Sequence, residues 1–181
     1  MTRTLDYWDD ARTLQDLGEL TAMWLEGEIE GHPIGGPGGC DDETDALVPV
    51  LTQANRAGYV TTNSQPGKTL TGAFGQRATV SGFCTEATAD KIQAAILGTD
   101  LIAIVTPPGW TNPVQIPITI DDSAPHSWAG GAIDEDNIDH YFSHYSPRAI
   151  PELLAAWQVD VIDPQWGRND LLWPVLTQAL A

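Results

Sequence analysis

The chain has 181 residues, with 8 Lys+Arg against 25 Asp+Glu and a net charge of −17 at pH 7 with His neutral. This balance argues against direct binding to DNA, RNA or anionic membranes, because contacts with phosphate groups need Lys and Arg. The 42% hydrophobic content and the seven Trp argue against disorder and supply material for a core. We therefore expect one domain spanning residues 1–181.

The N-terminal segment has no apolar run of the signal-peptide type, and no stretch approaches the ~20 apolar residues of a membrane span. The two cysteines, Cys40 and Cys84, are too few for a disulfide framework and are typical of free thiols in a reducing compartment. We expect a cytoplasmic protein.

The first half of the chain begins with helical signals. Thr13 precedes apolar residues at helical spacing and predicts a helix that fades near Glu30. A loop rich in Gly and Pro follows at residues 32–39. Four acids within residues 41–45 suit the positive end of a second helix, which Gly58 would stop.

Five segments have the pattern of short strands: 59–62, 77–84, 101–105, 114–120 and 159–162. The second and third of these flank a helix that Thr85 would cap, and such a unit predicts neighbouring strands joined by a crossover helix. Pro117 indicates an edge strand, because proline has no N–H for a sheet ladder.

Three further helices are predicted in the second half, over residues 134–145, from Pro151, and near the C-terminus with Asn169 as a cap. The elements together predict an α/β fold, with α+β as the alternative. Its mixed sheet of about five short strands would carry helices packed on it, including helices at both chain ends.

Several motifs spread along the chain resemble one family. They are Leu17-Gly18-Glu19-Leu20-Thr21, Trp24-Leu25-Glu26-Gly27, Leu47-Val48-Pro49-Val50-Leu51, Asn55-Arg56-Ala57-Gly58-Tyr59-Val60-Thr61, Ser64-Gln65-Pro66-Gly67, Gln76-Arg77-Ala78, Val80-Ser81-Gly82-Phe83, Asp163-Pro164-Gln165-Trp166-Gly167-Arg168 and Leu172-Trp173-Pro174. As a set they resemble an actinobacterial domain of unknown function, DUF6919, found in streptomycetes and their mobile elements. The resemblance implies no particular activity.

The charge pattern contains one unusual segment. Residues 46–85 hold no Asp or Glu and three bases, Arg56, Lys68 and Arg77, so the segment is +3 and the remainder of the chain −20. An even spread of acids would place several there. The contrast predicts a site kept clear for a negatively charged ligand.

Two turns in this segment supply the candidate ligand-binding residues: Ser64, Gln65, Lys68, Gln76 and Arg77. Arg77 would offer a fork-shaped contact, Lys68 a point charge, and the other three neutral donors. The alternative interpretation is an ordinary turn at residues 65–67, with Arg77 paired to a surface carboxylate.

Catalytic and metal-binding roles have weaker support. Ser64 and Cys84 are the candidate nucleophiles, with His126, His140 or His144 as the base. His140 and His144 are four residues apart and would share one face of a helix, as a metal pair requires, but no third ligand is fixed. We expect no cofactor.

The sequence thus favours a binding or accessory protein that meets a protein partner or a small anionic ligand. A small hydrolase or transferase acting on an anionic or nucleotide-like substrate is one alternative. An acidic decoy or inhibitor of a nucleic-acid-binding partner is the other. Trp110 and Trp128, both in segments read as loops, are the candidates for an exposed aromatic surface.

Overall fold

A computed structural model describes residues 6–181, with seven α-helices and seven strands in this range. The helices are α1 (Asp6–Asp9), α2 (Leu14–Leu25), α3 (Val48–Arg56), α4 (Glu86–Ile96), α5 (Glu135–Phe142), α6 (Ile150–Leu154) and α7 (Leu172–Ala179). The strands are β1 (Tyr59–Gln65), β2 (Lys68–Thr71), β3 (Phe74–Cys84), β4 (Ile102–Thr106), β5 (Ile116–Asp121), β6 (Ala124–Ala129) and β7 (Trp157–Trp166).

The long strand β3 organises the sheet. Its C-terminal part pairs with both β1 and β7, which therefore lie on opposite sides of it, and β4 pairs with the far side of β7. Its N-terminal part pairs with β2 and β5, and β6 completes a hairpin with β5. Every pairing is antiparallel, so the helix-and-sheet class is confirmed, while the expected mixed pairing is replaced by an antiparallel one.

Three features of the sheet differ from the prediction. The strands number seven instead of about five, since β2 and β6 were not recognised. Strands β3 and β4 flank the α4 crossover but are not neighbours, because β7 lies between them. Strand β5 is not an edge strand, because it pairs with β3 on one side and β6 on the other. Pro117 is tolerated there because only Thr119 and Ile120 of β5 pair with β3, so no N–H is needed from residue 117 on that side.

The helix ends follow local rules. Thr13 and Thr85 cap α2 and α4 as predicted, each accepting from a first-turn amide. Helix α2 ends at Leu25, before the predicted Glu30, because Gly27 takes a positive φ of 75° and turns the chain away. Asn169 does not cap α7, whose N-cap residue is Leu171.

Alternate residues of the sheet pack against helices on its two faces. One face, with Tyr59, Val80 and Val161, contacts α3, α4 and α7 in the larger core. The other, with Val60 and Phe83, lies against α1, α2, α5 and α6. No helix in the described range is both long and apolar enough to cross a membrane.

Strand β1 has an irregularity in its pairing with β3. Thr61 pairs with Gly82 and Asn63 with Ser81, so Thr62 is an extra, bulged residue without a partner of its own. Gly82 permits this close approach, because a Cβ there would lie 2.4 Å from the carbonyl oxygen of Val60. The bulge lies on an edge strand, which leaves its outer side open to neighbouring loops.

Candidate functional site

Arg77, the main residue of the predicted anion site, makes contacts within the protein. Its Nη1 donates to the carbonyl of Pro117 at 2.7 Å and its Nε to the carbonyl of Pro164 at 3.1 Å. The guanidinium lies 4.3 Å from the centre of the Trp166 ring, a cation–π distance. Desolvation lowers the pKa of Arg77. The side chain thus fastens β3 to β5 and β7.

Lys68 does not converge with Arg77. Its Nζ lies 2.8 Å from a carboxylate oxygen of Glu43, and 5.7 Å from the centre of the Phe74 ring. Lys68 lies opposite Gln76 in the ladder, and residues directly opposite share a face, whereas neighbours along a strand alternate. The two cations therefore belong to opposite faces of the sheet.

The neutral residues of the predicted site also separate. The Gln65 amide donates to the carbonyls of Arg77 and Ile118 and accepts from the hydroxyl of Thr119, so its hydrogen bonds are internal. Gln76 is buried, and its Oε1 has no partner within residues 6–181. Ser64 lines a cavity of about 200 Å³, together with residues outside the predicted set.

Neither cysteine has the environment of a nucleophile. Cys84 is 0% exposed, and desolvation raises the pKa of its thiol to about 12, so the thiolate is scarce at neutral pH. Desolvation, together with the nearby acids Asp45, Asp41 and Asp42, also raises the pKa of Cys40. The geometry therefore disfavours the thiol chemistry considered from the sequence.

The histidine pair does not gather further ligands. Helix α5 ends at Phe142, so His144 lies beyond the helix that carries His140. In the part of the chain that the structure describes, no three His, Cys, Asp or Glu side chains come together as a metal site would require.

Three adjoining cavities surround the bulge, and Thr62 and Asn63 line all of them. Their volumes are about 200, 150 and 310 Å³. We call them together the β1 cleft. Bulges recur beside binding sites because they break the strand pairing and redirect side chains. The β1 cleft is accordingly the best-formed candidate site.

His32 braces one wall of the β1 cleft. Its Nδ1 accepts from the backbone amides of Ile34 and Gly35, and its Nε2 lies 3.5 Å from the Thr21 hydroxyl. The ring also packs against Trp24, with centroids 4.6 Å apart. Burial lowers the pKa of His32 to about 4, so the ring is neutral near pH 7. Both nitrogens are thus engaged in holding the loop rather than free for catalysis.

Asp160 lies in the 150 Å³ part of the cleft, on the central strand β7. Its carboxylate accepts from the Ser81 hydroxyl across the strand pair. Desolvation raises the pKa of Asp160, while the Ser81 hydroxyl and the Gly130 amide lower it in part. No Lys, Arg or His of residues 6–181 forms an ion pair with it.

The loop at residues 130–133 forms a wall of the cavity that contains Asp160. The Gln158 amide accepts from the backbone N–H of Ile133 and donates to its carbonyl, both at 2.7 Å. Gly130 has a φ of 83°, and a Cβ there would meet the Val114 carbonyl oxygen at 2.4 Å. Only glycine fits this position. The wall is therefore set by backbone geometry as well as side chains.

The β1 cleft is acidic, unlike the anion site predicted around Lys68 and Arg77. Asp41 and Asp160 line it, and no Lys or Arg among the described residues does. Trp128, which is 47% exposed, lies in the same cavity as Asp160. The arrangement suits a positively charged or hydrogen-bond-donating group.

Sequence reasoning missed Asp160 because Val159-Asp160-Val161 resembles an ordinary alternating strand, in which the polar residue faces water. The available signal was Ser81 in a second apolar strand, but only the register of β3 against β7 brings the two together.

Residues 3–181 match the family described as a domain of unknown function, DUF6919. No curated protein matches the chain significantly.

Proposed function

The chain belongs to the DUF6919 family, and we propose, from the geometry of the β1 cleft, that it is a non-catalytic binding protein for a small ligand carrying a protonated amine. The observation that carries the proposal is the Asp160 carboxyl, which is desolvated and has no cationic partner in the described chain. Perturbed groups of this kind concentrate at functional sites.

Electrostatics favours an amine over an anion. Burying a carboxylate costs free energy unless a charge or several donors compensate it, and here Ser81 and Gly130 compensate only in part. A bound ammonium group would restore the missing compensation. An anion would instead meet Asp160 and Asp41 with no cation lining the cleft.

The remaining groups suit recognition of such a ligand. Trp128 lines the same cavity as Asp160 and supplies an aromatic ring, to which ammonium groups are attracted. The Asn63 side chain is exposed and makes no hydrogen bond within residues 6–181, so its amide is free to orient a ligand. The adjoining 310 Å³ cavity provides room for the rest of the molecule.

The hydrogen bonding of Ser81 favours binding over catalysis. The Ser81 hydroxyl donates to Asp160, and no histidine lines the cavity that contains them, so the serine has no base of the usual kind. The cleft has the groups needed to hold a charge but lacks an activated nucleophile.

Calorimetric titration with benzylamine tests the proposal, with benzyl alcohol as the uncharged counterpart of similar shape and citrate as the anion. The wild-type protein should bind benzylamine in preference to both. Asp160→Asn should weaken binding at least about tenfold, since it removes the charge and keeps the shape. Asp90→Asn, an exposed position on α4 outside the cleft, is the matched control. Equal affinity of the Asp160→Asn variant, or preference for citrate, would refute the proposal.

A further inference from the structure

A second cavity, of about 280 Å³, lies beyond the loop that closes the β1 cleft. Ile133 and Gln158 form the wall between the two. Apolar side chains from α5 and α6, Ile138, Leu153 and Leu154, line the cavity. We call it the Trp110 groove, after the tryptophan at its rim.

Trp110 is 71% exposed, but its backbone is fixed in a turn. Its backbone N–H donates to the Pro107 carbonyl, which closes a turn with Pro108 and Gly109 at the two central positions. Gly109 has a φ of 73°, as the third residue of a type II turn requires. Because the turn is preformed, little backbone ordering is needed when a partner contacts this ring.

The polar part of the Trp110 groove is acidic. Asp134 and Glu135 line it, and no Lys or Arg in the described chain does. One oxygen of Asp134 accepts from the backbone and side-chain amides of Asn137. Glu135 makes no ion pair within residues 6–181, so its charge is available to a partner.

We propose that the Trp110 groove docks an arginine side chain from a basic protein partner. The aliphatic stem of an arginine would cover the apolar floor, its planar guanidinium would stack on Trp110, and its N–H fork would meet the carboxylates of Asp134 and Glu135. Lysine fits less well, because its ammonium has no planar face to stack and no fork.

The charge of the chain selects a basic partner rather than a second copy. Two molecules with a net charge of −17 repel each other. Of the five arginines in residues 6–181, Arg56, Arg148 and Arg168 are in ion pairs and Arg77 is bonded to backbone carbonyls, which leaves Arg12 alone to offer in return.

The test uses the peptide acetyl-Gly-Arg-Gly-amide and follows the Trp110 indole N–H by NMR, assigned from its absence in Trp110→Phe. The arginine peptide should shift this signal saturably, and the lysine peptide should bind about threefold or more weakly. The peptide with citrulline, a neutral analogue of arginine, should leave it unmoved. Glu135→Gln should weaken binding of the arginine peptide about threefold or more, and Asp90→Asn should not. The backbone amide spectrum of each variant checks that it is folded.

Any of three peptide results would overturn the proposal: no shift with the arginine peptide, an equal shift with the citrulline peptide, or unchanged affinity of Glu135→Gln for the arginine peptide. Self-association of the wild-type protein that Trp110→Phe abolishes would also overturn it, since a second copy would then occupy the groove. Asp160→Asn separates this proposal from the amine site, because it should weaken benzylamine binding at least about tenfold and leave binding of the arginine peptide unaffected.

Discussion

Arg77 offers the sharpest test of whether the acid-free segment binds an anion or stabilises the fold. In the structure, its guanidinium donates to two backbone carbonyls and stacks on Trp166. We expect Arg77→Ala to destabilise the protein, because the carbonyls of Pro117 and Pro164 lose a charged donor and the Trp166 ring loses its cover.

The magnitude follows from these contacts. Hydrogen bonds to charged groups contribute about 1.5–3 kcal/mol each, and partial exposure places these two near the lower limit. The cation–π contact with Trp166 adds a smaller contribution, so Arg77→Ala should lower the free energy of unfolding by about 3 kcal/mol. For a chain of this size, that corresponds to a fall in Tm of roughly 6–12 °C.

Urea unfolding followed by circular dichroism measures the effect, with Arg77→Lys as the matched variant that keeps the charge and loses the fork. It should recover only part of the loss. The same unfolding is repeated with phosphate and with citrate. If Arg77→Ala changes the free energy of unfolding by less than about 1 kcal/mol, the structural role is refuted. If phosphate or citrate stabilises the wild type and not the variant, Arg77 binds anions and the predicted anion site is supported.

Three further predictions concern the β1 cleft. His32 has a pKa of about 4 in the folded protein against 6.5 in the unfolded one, so the unfolded state takes up the proton first as pH falls. The free energy of unfolding should therefore fall by up to about 3 kcal/mol as the pH is lowered from 6.5 to 4. His32→Asn keeps an acceptor for the loop amides and should remove most of this fall when the free energy of unfolding, from urea denaturation, is plotted against pH. Asp160 has a pKa raised above 3.8, so its contribution to stability is present below that pH and lost as pH rises through the folded value. Asp160→Asn should therefore raise the Tm at pH 7 and give no gain below pH 3.8; a lower Tm at pH 7 would contradict the assigned desolvation. Gly82→Ala should destabilise the protein by about 2 kcal/mol or more, because its Cβ meets backbone 2.4 Å away, and an unchanged denaturation midpoint would contradict the bulge geometry.

The sequence by itself determined the features that depend on a few consecutive residues. Thr13, Thr85 and Asp134 each accept from an amide in the first turn of the helix they precede, as their side-chain chemistry requires. The strands β3 and β4 were likewise predictable, because a buried strand is a short run of mainly apolar residues.

Strands β2 and β6 could not be predicted from the sequence, because their residues are mostly exposed and show little hydrophobic pattern. They are strands because β3 and β5 supply hydrogen-bonding partners, and those partners are set by the tertiary fold. The order of strands had the same dependence, since the insertion of β7 between β3 and β4 follows from contacts distant in sequence.

The acid-free segment, residues 46–85, shows most clearly what the sequence determines and what the tertiary structure determines. The sequence located it correctly, but the structure gives it a different cause. Much of α3, β1 and β3 is buried in the core, where an unpaired carboxylate is costly. The register of β3 against β7 then places Asp160, from outside that segment, beside Ser81 within it. Composition fixed where charge was absent, whereas only the pairing of distant strands decided where an uncompensated charge would lie.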